Sequence, residues 1–141
     1  MASPLKNLIR VHDWQVDEKR RHLGDLLRMQ DDLQAQLDRL GAELKREQAL
    51  AAKDPESATF YGAYAEGVIQ RRERLRASIV KMDQEVAVAR EAVREAYREL
   101  KKYQIAEEHR LAAEADERAK RDQKTLDEIG LMRAVRANNE K

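Results

Sequence analysis

"AAKDPESATF", residues 51–60, interrupts a helical pattern that otherwise runs along almost the whole of this 141-residue chain. Asp54 precedes Pro55, and the proline ring pushes the residue before it out of helical geometry. Asp54 can then cap a new helix that has Pro55 at its first position. The stretch reads as a hairpin turn, provided that the segments on either side carry faces able to cover one another.

Both do. Upstream, Ser3-Pro4 has the form of an N-cap followed by proline at the first helical position. From there residues recur alternately four and three apart: Leu5, Ile9, His12, Val16, Lys19, Leu23, Leu26, Gln30, Leu33, Leu37, Leu40, Leu44, Glu47 and Ala51. Ten of these 14 positions are apolar, a coiled-coil seam sustained over some seven heptads. Downstream, a second seam runs through Tyr61, Ala65, Val68, Arg72, Leu75, Ile79, Met82, Val86, Ala89, Val93, Ala96, Leu100 and Tyr103. Twelve of its 13 positions are apolar. Neither helix can hide its stripe alone, so the two are expected to fold back as an antiparallel pair. The predicted architecture is all-α: a long antiparallel two-helix coiled-coil hairpin forming one domain over residues 1–141. Helix 1 is expected at about 4–52, the turn at about 53–58 and helix 2 at about 59–136. Gly62 and Gly67 weaken the first turns of helix 2 by roughly 1 kcal/mol each.

The two arms are unequal. About 48 residues of helix 1, roughly 72 Å at 1.5 Å per residue, are matched by helix 2 as far as about residue 105. The second seam stops close to that point, at Tyr103. Beyond it the pattern thins to Ala112, Ala115, Ala119, Leu126 and Ile129, a narrow stripe of mostly small side chains. If continuous, this C-terminal overhang projects roughly 40–50 Å past the paired rod. A free helix of that length is marginal in water without i,i+4 pairs or a partner. Glu114 with Arg118 and Lys124 with Glu128 are candidate pairs.

Composition agrees with a rod. Charged residues make up 39% and aromatics 4%, with five glycines and two prolines. The net charge is +1, from 28 basic and 27 acidic residues mixed along the chain, so no field favours nucleic acid. The absence of cysteine excludes disulfides and thiolate chemistry. "MASPLKNLIRVHDW" is too polar for a signal peptide and no apolar run approaches a membrane span, so a cytoplasmic protein is expected.

Catalysis and cofactor binding find no support. A catalytic carboxylate pair needs a concave, partly dry pocket, which a two-helix rod does not supply. There is no phosphate-cradling glycine loop, serine elbow or zinc motif. His12, His22 and His109 are the only histidines; a metal site wants two histidines, or a histidine and a carboxylate, on one face at i,i+4, and Glu108 is adjacent to His109, hence not on its face. His12 and Lys19 instead hold seam positions, where polar residues fix register. "EKRRH" (18–22) and "QRRERLR" (70–76) are flanked by acids and read as solvated faces, with phosphate contact as the alternative. Phe60, Tyr61 and Tyr64 cluster beside the turn, either as a plug closing the rod or as an exposed anchor for a partner. Trp14 lies off the seam and is expected to pack over its edge.

The C-terminal "DQKTLDE" (122–128) followed by "IGLMRA", together with "QVDEKRR" (15–21) and "QRRERLR", resembles the FliJ family of flagellar export proteins in its α-proteobacterial form. The resemblance covers essentially the whole chain, including the placement of the hairpin. It implies a cytoplasmic, non-enzymatic component of the flagellar type III export apparatus, built like the central stalk of rotary ATP synthases and peripheral to the membrane only through that apparatus. The implied partners are the hexameric export ATPase FliI, which the stalk binds and stimulates, the export gate protein FlhA and export chaperones. By the resemblance, the ATPase-facing residues are Arg121, Asp122, Gln123, Lys124, Leu126, Asp127 and Glu128. Gate contacts map to Gln36, Leu40, Tyr64 and Val68. Where some members carry aromatics on the first helix, this sequence has Glu43 and Glu47, and Phe60 or Tyr61 would take their place. The rival expectation is a generic homodimeric coiled-coil scaffold in which two overhangs pair in trans.

Overall fold

The structure, a computed structural model, describes residues 3–140. It consists of two helices, α1 (Pro4–Lys53, 50 residues) and α2 (Pro55–Asn139, 85 residues), packed antiparallel. The connection is narrower than the expected turn of about 53–58: Asp54 alone separates the helices, so α2 begins at Pro55 rather than near residue 59. The reason lies in how many bonds Asp54 makes. Its N–H donates to the Leu50 carbonyl at 3.0 Å, and its own carbonyl accepts from the Ala58 N–H at 3.1 Å. Its Oδ1 accepts from the Glu56 N–H at 3.1 Å and its Oδ2 from the Ser57 hydroxyl at 3.1 Å. One residue thus ends α1 and caps α2, and Pro55 takes the first helical position, where no N–H is needed. No described residue has positive φ.

Ser3 begins α1 in the same manner: its hydroxyl accepts from the Lys6 N–H at 3.2 Å and its carbonyl from the Asn7 N–H at 3.3 Å. Gly62 and Gly67 do not delay α2, because the cap and proline at its start fix the first turn.

Contacts divide the chain into two units, Trp14–Tyr97 and Met1–Asp13 with Arg98–Lys141. In the first, Leu26, Val86 and Ala89 form the centre of the core, flanked by Leu23, Leu27 and Met82. Across the seam the Gln30 amide donates to Asp83 Oδ1 at 2.6 Å, so a polar residue at a core position pins the register. All 13 residues of the second seam are buried or half-buried, as are 12 of the 14 in the first; Lys19 and Glu47 are the exceptions. No described side chain is completely buried, as expected when two helices share a single stripe of contact. In the second unit, Leu100 is buried and the His12 ring stacks on Tyr103 with centroids 4.7 Å apart. There α2 runs on past the start of α1.

The glycines of α2 offer a direct test of what stabilises it. A Cβ added at Gly67 would meet nothing within 4 Å, and the backbone there is helical. Gly67→Ala should therefore raise stability by about 1 kcal/mol through helix propensity alone. Thermal melts of the two proteins would register this as a higher Tm for the variant.

Candidate functional site: the unpaired tail and the hairpin end

The tail of α2 is anchored at Glu107, which is buried although charged. Arg110 grips it from one turn away: Nε donates to Oε2 at 3.0 Å and Nη2 to Oε1 at 2.8 Å. The Arg110 hydrogen bond holds the Glu107 carboxyl below the usual carboxylate range. Burial opposes this, while the charges of Arg110 and Lys6 and a hydrogen bond from Ser3 assist. Ser3 caps α1 and Lys6 lies in its first turn, so pairing extends about one helical turn beyond Tyr103, where the seam was expected to end. A buried acid continues the contact, which an apolar pattern could not reveal.

From there the tail carries a ladder of charges. Arg110 Nη1 donates to Glu114 Oε2 at 3.1 Å, and Glu114 Oε1 accepts from Arg118 at 3.2 Å. Asp116 pairs with Lys120 at 3.3 Å and Glu117 with Arg121 at 3.6 Å. Gln123 donates to Asp127 Oδ1 at 3.0 Å, and the Thr125 hydroxyl donates to the Arg121 carbonyl at 3.0 Å. In the pairs from Glu114 to Arg121 the acid lies four residues before the base, the order that suits the helix dipole. The expected Glu114–Arg118 pair forms; the expected Lys124–Glu128 pair does not. Every residue from 111 to 140 is exposed.

The seven tail residues singled out from the sequence all lie on this exposed segment. Arg121, Gln123 and Asp127 are engaged within the ladder, whereas Asp122, Lys124 and Glu128 have no ion pair among the described residues. Leu126 is bare. Sequence reasoning passed over Leu131, Met132 and Val135, which are exposed near the end of α2 and line a shallow hollow with Arg136 and Asn139. They fall outside the alanine stripe, so a search for one periodic face misses them.

The four gate candidates differ in exposure. Leu40 and Val68 are core residues, 4% and 3% exposed, because they occupy heptad seam positions; Gln36 and Tyr64 remain accessible. Phe60, 76% exposed, serves as no plug, while Tyr61 is half-buried. Phe60, Tyr61, Tyr64, Ser57 and Glu47 line a hollow beside the turn, and Leu50 and Ile69 are exposed near by in sequence. Trp14 is 60% exposed, so it covers the seam edge less than expected. A further groove in the Trp14–Tyr97 unit is lined by Lys19, His22, Leu26, Val88, Ala89 and Ala92 among others. Among the described residues no group of acids and histidines is placed to hold a metal ion, and no helix is long and apolar enough to cross a membrane.

The chain is a two-helix hairpin whose longer helix is exposed from residue 111 to 140, and the hollows among the described residues are open grooves. The family model described as flagellar FliJ protein matches residues 1–139. Two relatives named flagellar FliJ protein, from Caulobacter vibrioides strains NA1000 / CB15N and ATCC 19089 / CIP 103742 / CB 15, are each 30% identical over 130 residues. The alignment covers 92% of this chain and 93% of each relative. No solved structure matches. The chain belongs to the FliJ family, and is accordingly a non-enzymatic component of the flagellar export apparatus.

The anchor of the tail has a pH signature. Because the folded-state pKa of Glu107 is depressed, its contribution is complete above the unfolded value and is lost as pH falls through the folded one. Thermal stability should decline on acidification through the carboxylate range, and Glu107→Gln should flatten that limb while lowering stability at neutral pH. Melts recorded as a function of pH on both proteins measure the difference.

Proposed function

We propose that this protein is a stalk-like subunit that binds and stimulates the hexameric export ATPase FliI through its tail and contacts the export gate protein FlhA through its hairpin end. The observation that carries the reading is the unpaired stretch 111–139 of α2. Nothing among the described residues covers it, yet its charges are laddered along the helix so that it can stay helical until it meets a partner. A slender helix with polar groups around much of its girth suits the bore of a ring, where contacts are remade as subunits cycle. Arg121, Asp122, Gln123, Lys124, Leu126, Asp127 and Glu128 form the collar of this contact. Family membership supports the assignment to the export apparatus.

At the hairpin end, Gln36 and Tyr64 are available to the gate. Leu40 and Val68 act beneath them as the seam that holds the surface in shape. Phe60 supplies the aromatic anchor that Glu43 and Glu47 do not. Export chaperones are further partners of the same apparatus.

Truncation after residue 110 preserves the Glu107–Arg110 clasp and should leave a folded hairpin that no longer stimulates the ATPase. Full stimulation by the truncated protein would refute the tail assignment. Independently, Phe60→Ala with Tyr64→Ala should weaken gate binding by at least about tenfold, as expected for two interface aromatics, and leave ATPase stimulation intact; a pull-down with titration of the gate's cytoplasmic domain reads this out.

A further inference from the structure

The groove lined by Lys19, His22, Leu26, Val88, Ala89 and Ala92 belongs to neither surface assigned above, since it shares no residue with the tail or with the gate candidates. It has a volume of about 500 Å³ and lies open along the flank of the paired rod. Its origin is in the sequence. Position 19 of the first seam is a lysine, which stays exposed where the seam residues Val16 and Leu26 are buried. On α2 the groove meets alanine at 89 and 92, side chains too short to close it. Leu26 and Ala89 are core residues, so the trough opens onto the hydrophobic seam itself. Beside them Val88 is 71% exposed.

From these observations we infer that this trough takes a single α-helix of another protein, one with a narrow apolar ridge and a carboxylate at each end of the contact. The inference goes beyond the stalk reading and does not depend on it.

Shape and charge together select that occupant. The small side chains at 89 and 92 let a third backbone approach, at the spacing of about 8–10 Å between axes that packed helices adopt. A ridge of apolar residues laid in the trough would cover Val88 and complete a three-helix bundle, the helix-in-groove mode of recognition. A small molecule fits less well, because such ligands are enclosed over most of their surface in a concave site.

The charges stand at the two ends. Gln30 meets Asp83 across the seam, so in an antiparallel pair Lys19 is level with about residue 94 of α2. Lys81 lies at the opposite end of the groove. The two lysines are therefore about 13 residues of helix apart along the rod, roughly 20 Å, and neither makes an ion pair among the described residues. Carboxylates two heptads apart on the docked helix would meet both. Glu85 is the one acid of the lining, and it calls for a polar or basic residue between them. Two copies of this chain meeting trough to trough would set lysines against lysines. A flat anionic bilayer would reach Val88 but not the recessed Leu26 and Ala89.

Fluorescence anisotropy with the full-length chain tests the inference. The probe is a synthetic, end-capped helix of three heptads with a leucine ridge and glutamates two heptads apart; its control carries lysines in their place. The glutamate probe should bind at least about tenfold more tightly than the control, and K19E/K81E should reverse that order, as expected when opposite charges become like charges. A92L fills the trough with the chain's own side chain, and V88Q removes its exposed apolar wall without touching the core. Each should weaken the glutamate probe at least about tenfold, the loss expected of a central apolar contact, and leave ATPase stimulation and gate binding unchanged. Equal binding of the two probes, binding of neither, or binding to V88Q within about threefold of the parent overturns the inference. So does a parent dimer in light scattering that A92L abolishes, and so does adsorption of the parent to phosphatidylglycerol vesicles that K19E/K81E loses. Failure of the parent to stimulate the ATPase strikes the stalk reading alone.

Discussion

A helical ladder cannot cross Asp54-Pro55 intact. Pro55 has no N–H to return to the carbonyl four residues earlier, and its ring denies Asp54 the helical conformation. Asp54 answers by closing one helix and capping the next with four hydrogen bonds of about 3 Å. The position of that single residue decides everything downstream. It fixes which residues of α1 meet which residues of α2, and because it lies well before the chain's midpoint, it leaves the end of α2 without a partner.

Pairing and surplus are stabilised by different means. The paired segments rely on a thin stripe of apolar contact, with Gln30 and Asp83 setting register across it. A stripe of that kind depends on both helices being present. The tail has no such partner and uses a resource that belongs to one helix only, the i,i+4 pairing of acids with bases. Glu107 and Arg110 join the two regimes: a buried acid touched by the first turn of α1 is also the first rung of the ladder.

The division matches what the stalk proposed above for the flagellar export apparatus requires. What it needs are surfaces that hold their shape unaided and become favourable to bury only when the right partner arrives. Phe60 beside the turn and the apolar end of the tail are both of this kind, each carried on a helix whose own backbone bonds are already satisfied.

Heptad spacing, the Ser3-Pro4 and Asp54-Pro55 signals and the unequal arms were legible in the sequence, because each depends on local sterics or on a period that repeats along one helix. Family membership was legible in the tail motif for the same reason: it is a string. Other features were decided only when the helices came together. Leu40 and Val68, seam positions that the family resemblance also offered as gate contacts, are buried once the partner helix covers them. Glu107 lies beyond the apolar seam and is nevertheless buried as the clasp, since only the fold places Ser3 and Lys6 beside it. Burial is a property of two segments at once, and no single stretch of sequence contains it.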